Sequence, residues 1–180
     1  IAALADAGVQ AIVATAAVGG IEYAAGTGTI VIPDQLIDYT YGREHTYSDG
    51  TQAHPLHVDF TEPYTPSLRA ALLTAADDAG IAVRRRGVYG ATQGPRLETA
   101  AEIDRLERDG CTIVGMTGMP EAGLARELGL DYANISLVVN AAAGRATGEI
   151  TMAEIEAALA EGMGRVRTII AALCARLAIP

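Results

Sequence analysis

The segment that decides the fold is TIVGMTGMPEAGLARELGLDYANISLVVN, residues 112–140. Residues 112–116 and 132–139, near its two ends, are apolar runs of strand length that contain several Val and Ile residues. Between them, residues 120–128 have the pattern of a short helix that starts at a proline and ends before Gly129. A strand, a helix and a second strand in this order are typical of an α/β domain with a largely parallel sheet.

The same alternation of strands and helices extends over the rest of the chain. Thr151 and Glu154 have the spacing of a capping box, and the helix that they open is expected to run to about Leu177. Residues 38–66 form a long polar and aromatic stretch, and loops of this length inside compact domains are usually functional. The remaining predicted strands are residues 9–17, 29–33 and 87–92, and the remaining predicted helices are residues 1–8, 67–79 and 98–109.

We therefore predict one α/β domain over residues 1–180, with a mixed, largely parallel sheet flanked by helices. A chain of 180 residues has the length of one such domain. Its first eight residues, IAALADAG, read as the second half of an amphipathic helix. We accordingly expect the chain to be the C-terminal portion of a longer protein whose N-terminal part is missing.

Composition excludes several classes of function. Half of the residues are apolar and only 19% are charged, which excludes a disordered segment. A net charge of −9 argues against binding to a nucleic-acid backbone. No apolar stretch reaches the roughly 18 residues of a membrane span. Cys111 and Cys174 lie far apart without a CxxC partner, so neither a zinc site nor a disulfide framework is indicated. We expect a soluble, cytoplasmic protein.

Four motifs directly follow predicted strands: Gly19-Gly20, TQGPRLE (92–98), MTGMPE (116–121) and Asn140. Ligands in α/β sheets bind at the carboxyl ends of the strands, so these motifs are expected to line one cleft. Taken singly, each motif also has a purely structural interpretation. Gly19-Gly20 and Asn140 could be turn residues, and the two longer motifs could be strand-to-helix loops that contain a proline.

Together these motifs resemble those of the trimeric purine nucleoside phosphorylase and methylthioadenosine phosphorylase family, most closely its members that cleave S-methyl-5'-thioinosine. The resemblance covers the whole chain and implies a mixed sheet surrounded by helices. It also implies a homotrimer that cleaves a nucleoside with inorganic phosphate and needs no metal or organic cofactor. The further motifs that carry the resemblance are AVGGI (17–21), DQLIDYT (34–40), GREHTY (42–47), HVDFTEPY (57–64) and VVNAAAG (138–144).

The resemblance assigns the catalytic roles to Glu98 and Asn140. A carboxylate only accepts hydrogen bonds, so Glu98 suits the N1–H of hypoxanthine or guanine, and the Asn140 amide can donate to O6 or N7. Both therefore favour a 6-oxopurine base. Thr117 and the backbone at Ala17 are implied to bind phosphate. The other implied substrate-binding residues are Val18, Gly19, Leu97, Val114, Gly115, Met116 and Val139.

The 5' end of the sugar separates the remaining alternatives. Met152 is apolar and suits a methylthio group, and the resemblance implies that His57 of a neighbouring subunit approaches the same substituent. The leading prediction is phosphorolysis of S-methyl-5'-thioinosine to hypoxanthine and 5-methylthioribose 1-phosphate. Met152 could also be ordinary helix core, which leaves open a general inosine and guanosine phosphorylase. A third alternative is a non-catalytic purine-binding subunit, because the family's Arg-His pair for phosphate lies upstream of the segment that resembles residues 1–8.

Overall fold

The computed structural model describes residues 1–51 and 56–177, so His54 lies outside the described residues. Within these ranges the strands form one sheet in the order β2-β6-β1-β5-β4-β3. The strands are β1 (Ala11–Gly20), β2 (Ile30–Val31), β3 (Gln35–Asp38), β4 (Val88–Ala91), β5 (Ile113–Gly115) and β6 (Asp131–Ala141). The helices are α1 (Ala2–Asp6), α2 (Pro66–Asp78), α3 (Ala100–Arg108), α4 (Glu121–Glu127) and α5 (Met152–Leu177).

The predicted mixed, largely parallel sheet flanked by helices is confirmed. Strand β1 pairs in parallel with β6, and β4 pairs in parallel with both β3 and β5. The pairs β1–β5 and β2–β6 are antiparallel. Apart from β2, which lies antiparallel to β6 at one edge, the sheet therefore consists of two parallel halves of opposite direction, β6-β1 and β5-β4-β3, which meet where β1 pairs with β5.

The junction between the two halves is short, and this decides where the ends of the strands lie. The pairing of β1 with β5 consists of Gly19 opposite Val114 and Gly20 opposite Ile113. Strand β5 ends at Gly115, one residue after Val114. Because the pairing is antiparallel, Gly115 lies beside Val18, near the carboxyl end of β1. The carboxyl ends of both halves thus come together although the halves run in opposite directions.

Residues of β6 alternate between the two faces of the sheet, which accounts for a helix layer on each side. Ile135 and Leu137 are buried in a core that contains residues of α2 and α5. Tyr132 and Val138 point to the opposite face, where they are buried with the alanines of α4. Burial on both faces explains why the sequence of this strand is a nearly continuous apolar run.

Several parts of the element prediction differ from the structure. Strand β1 runs to Gly20 and β6 runs to Ala141, so Gly19-Gly20 and Asn140 lie within the last residues of these strands and do not follow them. Strand β3 was not predicted, because its apolar content is limited to Leu36 and Ile37 and it lies at the edge of the sheet. The predicted strand at residues 29–33 is reduced to Ile30–Val31. The capping box of Thr151 and Glu154 is present, with the Glu154 amide donating to Thr151 Oγ1 over 3.3 Å. None of the helices in the described ranges has the length and apolar character that a membrane crossing requires.

We predict opposite stability changes for two glycines of α5. A Cβ atom at Gly162 would lie 2.5 Å from Cδ2 of Leu137, a side chain that is 1% exposed. Gly162→Ala is therefore expected to lower the free energy of unfolding by about 1–3 kcal/mol. At Gly164 a Cβ atom would contact nothing within 4 Å in the described structure. Gly164→Ala is expected to raise the free energy of unfolding by about 0.5–1 kcal/mol, because alanine favours the helix over the unfolded chain.

Denaturant unfolding of the two variants measures this difference directly. The pair is matched because both changes add one methyl group to the same helix. Equal changes in the free energy of unfolding would contradict the close packing of Gly162 on Leu137.

Candidate functional site

One cavity of about 270 Å³ lies where the carboxyl ends of the two half-sheets meet. Its lining comes from β1, from the loop before α3, from β5 and the segment after it, from the end of β6 and the loop that follows, and from α5. It includes every residue that the sequence analysis named for the site except Met152 and His57. The predicted residues that line it are Ala17, Val18, Gly19, Leu97, Glu98, Val114, Gly115, Met116, Thr117, Val139 and Asn140.

A second cavity of about 680 Å³ continues from the first. Glu98 and Asn140 line both cavities, so they stand at the junction between them. The outer wall of the second cavity is the loop that connects β6 to α5, residues 142–151. The two cavities thus form one cleft with a carboxylate and an amide at its middle.

A β-bulge in β6 brings Asn140 to this position. Val18 pairs with Val138, but the next residue of β1, Gly19, pairs with Asn140, so Val139 has no partner opposite it. Such an extra residue turns the strand locally and changes the direction of the side chains that follow. The Asn140 side chain lines the cleft, and its Nδ2 donates to the carbonyl oxygen of Ala141 over 2.7 Å.

Glu98 is half-buried in the loop just before α3, not in the helix as predicted. The helix starts at Ala100 because Thr99 is its N-cap and forms a capping box with Glu102. The hydroxyl of Thr92 donates to Glu98 Oε1 over 2.6 Å and holds the carboxylate at the cleft. Arg96 donates to both oxygens of Glu102 and, through these hydrogen bonds, lowers the pKa of that carboxyl to about 2. The N-terminus of α3 beside Glu98 is therefore well fixed.

The segment after β5 rests on Tyr89, which the sequence analysis did not identify. The Thr117 amide donates to the Tyr89 hydroxyl over 3.3 Å, and the two hydroxyl oxygens are 3.4 Å apart. Burial raises the pKa of Tyr89, so the phenol stays protonated. A Cβ atom at Gly115 would lie 2.2 Å from the phenol oxygen, which explains the need for glycine there. The exposed Thr117 thus has a rigid support beneath it.

Two predicted residues lie outside the cavity. Met152, the first residue of α5, is 67% exposed and lines neither cavity. The apolar side chains of this region that line the 270 Å³ cavity are Ile150 and Ile155. Neither isoleucine was predicted for the site, although their apolar side chains close to Met152 in the sequence were a signal that could have indicated them. His57 is exposed in the loop before α2. Its role in a neighbouring subunit stays a prediction.

The electrostatics of the cleft are set by acidic and neutral groups. Glu98, Glu149 and Glu154 line it, and no arginine in the part of the chain that the structure describes does so. An anion at the 270 Å³ cavity would therefore be held by hydroxyl and backbone groups, with Thr117 as the polar side chain on that side. Glu121, at the end of the same motif, has a structural contact, since its carboxylate accepts from the Tyr132 hydroxyl over 2.8 Å.

Comparison with known proteins gives consistent matches. Residues 1–175 match the family model of the phosphorylase superfamily. A probable S-methyl-5'-thioinosine phosphorylase of Pseudomonas syringae pv. tomato is 58% identical over 169 residues, which are 94% of this chain and 69% of that protein. A 6-oxopurine nucleoside phosphorylase of Pyrococcus furiosus is 46% identical over 158 residues, covering 85% of this chain and 60% of that protein. The methylthioadenosine phosphorylase of Schistosoma mansoni in complex with adenine superimposes with a TM-score of 0.91 at 28% identity, covering 99% of this chain and 70% of that one.

Proposed function

This chain belongs to the phosphorylase superfamily, and we propose that it catalyses phosphorolysis of S-methyl-5'-thioinosine to hypoxanthine and 5-methylthioribose 1-phosphate. The observation that carries the proposal is the single cleft in which Glu98, Asn140 and Thr117 come together. Relatives at 58% and 52% identity are named probable S-methyl-5'-thioinosine phosphorylases. Since the chain spans 69% and 62% of those two proteins, the activity of the whole protein is part of the proposal.

The base is proposed to lie at the junction of the two cavities. There the Glu98 carboxylate accepts a hydrogen bond from the N1–H of hypoxanthine, and the Asn140 amide donates to O6 or N7. Thr92 keeps one carboxylate oxygen of Glu98 occupied, which leaves the other for the base. This donor and acceptor pattern favours a 6-oxopurine over adenine, whose N1 has no hydrogen.

In the proposed reaction a phosphate oxygen attacks C1' of the sugar while the bond from C1' to N9 of the purine breaks. The electron pair of that bond leaves with the base, so negative charge develops on the purine ring. A donor at O6 or N7, such as Asn140, binds this charge more strongly than the neutral substrate base and thereby lowers the barrier. Thr117 is proposed to donate to the attacking phosphate, and the backbone at Ala17 borders the same space.

The 5' substituent is proposed to face Ile150 and Ile155, and the role of Met152 there stays a prediction. We predict that Ile155→Asn lowers the preference for methylthioinosine over inosine by about 10-fold or more, because an apolar wall becomes polar. The ratio of the two kcat/KM values measures the effect. Ile170→Asn, in the same helix and packed on the same core but away from the cleft, is the control and should leave the ratio unchanged. An unchanged ratio in Ile155→Asn would contradict this assignment.

The experiment that tests the function is release of hypoxanthine by the purified protein, with and without phosphate. Methylthioinosine, inosine, guanosine and methylthioadenosine are compared as substrates. Equal kcat/KM values for methylthioinosine and inosine would support a general 6-oxopurine phosphorylase, which is the activity in the name of the relative at 46% identity. Binding of hypoxanthine without any phosphate-dependent release would support the non-catalytic alternative.

We further propose a homotrimer in the cytoplasm as the active form, with inorganic phosphate as co-substrate and no metal or organic cofactor. The exposed loop that carries His57 is the part of this chain proposed to reach the neighbouring site. Light scattering coupled to size-exclusion chromatography measures the oligomeric state. Activity that survives exhaustive dialysis against a chelator is expected, and its loss would contradict the absence of a metal.

A further inference from the structure

Arg43 contacts two of the segments that form the cleft, the loop before α3 and the segment after β5, although it lines neither cavity. It is half-buried in the long loop between β3 and α2. On one side its Nη2 donates to the carbonyl oxygens of Thr92 and Gln93, over 3.3 and 2.7 Å. On the other side its Nη1 donates to the carbonyl oxygens of Met116, over 2.9 Å, and Met119. We refer to Arg43 and these four carbonyl groups as the carbonyl clamp.

The chemistry of the clamp requires arginine. The guanidinium group is planar and has five N–H donors in a rigid fork, so one side chain can bond two separate segments at fixed angles. Its remaining donor, Nε, is used as well, bonding Oε1 of Gln93 over 3.1 Å. That same oxygen accepts from the backbone amide of Tyr41 over 3.2 Å, which fixes the loop that carries Arg43. All the acceptors are uncharged, so the guanidinium group fixes the relative positions of these segments and does not neutralise a carboxylate.

The two segments that the clamp joins have different tasks in the proposed reaction. Thr92 orients Glu98 and therefore belongs to the base-binding side. Met116 and Thr117 belong to the side of the sugar and the phosphate. The segments also touch directly, since a Cβ atom at Gly94 would lie 2.4 Å from Sδ of Met116. We propose that Arg43 is a positioning residue that holds the base-binding loop and the sugar-phosphate loop in register.

The consequence for catalysis follows from the need to align three groups. Phosphate, C1' and the departing base must lie in line, and a misplacement of about 1 Å can lower the rate about 100-fold. Binding of the base alone involves only the loop of Glu98 and the end of β6. Loss of the clamp should therefore lower kcat much more than it weakens the binding of hypoxanthine.

The chain offers a matched control in Arg69. Its guanidinium likewise donates to backbone carbonyls, those of Pro33 over 3.0 Å, Ile32 over 3.4 Å and Arg85. It is half-buried and lines neither cavity of the cleft. Replacement of either arginine by glutamine leaves partly buried carbonyl groups without these donors, so both variants are expected to lose stability in the same way.

The experiment compares Arg43→Gln, Arg43→Lys and Arg69→Gln with the unaltered protein, well below their unfolding temperatures. Because the inference rests on the proposed function, kcat for methylthioinosine is read together with the affinity for hypoxanthine. For Arg43→Gln we expect kcat to fall about 10- to 100-fold, with a much smaller loss of hypoxanthine affinity. Arg43→Lys keeps the positive charge but loses the forked N–H donors of the guanidinium group, so its kcat should fall nearly as far as that of Arg43→Gln. Arg69→Gln should keep kcat.

A second measurement does not depend on activity. Hydrogen exchange of backbone amides is expected to become faster in both residues 92–98 and residues 115–121 of Arg43→Gln, and in neither segment of Arg69→Gln. Unchanged exchange in the two segments, full activity of Arg43→Lys, or an equal loss of kcat in Arg69→Gln would each overturn the inference. If the unaltered protein releases no hypoxanthine, the proposed function fails, and the exchange data alone decide whether the clamp exists.

Discussion

Replacement of Glu98 by alanine is expected to lower kcat/KM for methylthioinosine phosphorolysis by about 100- to 1,000-fold. The physical reason is that Glu98 is proposed to accept a hydrogen bond from the N1–H of a 6-oxopurine, and its position is fixed by the 2.6 Å hydrogen bond from Thr92. Without the carboxylate the base loses both a hydrogen bond and its orientation relative to C1'. Initial rates of hypoxanthine release at several substrate concentrations measure the loss.

Three further variants separate the role of the carboxylate from a general disturbance. Glu156→Ala removes an exposed carboxylate of α5 that lines neither cavity, and it should keep full activity. Thr92→Val removes the hydroxyl that orients Glu98 and should cause a smaller loss than Glu98→Ala. Glu98→Gln keeps the shape and one acceptor oxygen, so its loss should also be smaller. A folded Glu98→Ala variant with unchanged kcat/KM would contradict the proposed recognition of the base.

Much of the site could be predicted from sequence because its motifs are short and lie at the ends of apolar runs. A run that ends at a polar or glycine motif marks the end of a strand, and ligands bind at such ends. The structure accordingly brings Gly19, Glu98, Thr117 and Asn140 around one cavity. Their roles in binding and catalysis stay predictions.

Other features could not be read from sequence because they depend on three-dimensional placement. Apolar periodicity does not encode strand direction, so the antiparallel pairing of β5 with β1 was not foreseen. The bulge at Val139 depends on the register between β1 and β6, which a single strand does not reveal. Ile155 lines the cavity because of the way α5 packs on the sheet, and the pattern of the helix alone does not distinguish Ile155 from Met152 as the lining residue. Arg43 acts from a loop that has no periodic pattern.

Replacement of Asn140 by aspartate is expected to change the preferred base. The Asn140 amide can donate to O6 or N7 of hypoxanthine, whereas a carboxylate only accepts and repels the lone pairs of O6. The amino group of adenine, by contrast, is a donor that a carboxylate can bind. We expect the ratio of kcat/KM for methylthioinosine to that for methylthioadenosine to fall by about 100- to 1,000-fold, the range of a site that loses a required hydrogen bond.

The alanine variant at the same position distinguishes a switch of the base from simple damage. Asn140→Ala removes the donor without adding an acceptor, so it should lose activity on both substrates and gain none on methylthioadenosine. A folded Asn140→Asp variant, shown by cooperative thermal unfolding, that keeps the original ratio would contradict the assignment of the amide to the base.

Glu98 limits how far the single change can go, because its carboxylate would still face the bare N1 of adenine. The two side chains line the same junction of the cleft from different elements, one from the loop before α3 and the other from the end of β6. Their effects on base preference should therefore be coupled and not additive. In the double variant Glu98→Ser with Asn140→Asp, serine can donate to N1 of adenine while aspartate accepts from its amino group. We expect this variant to cleave methylthioadenosine faster than either single variant, and a rate no higher than that of Asn140→Asp alone would mean that Glu98 does not contact the base.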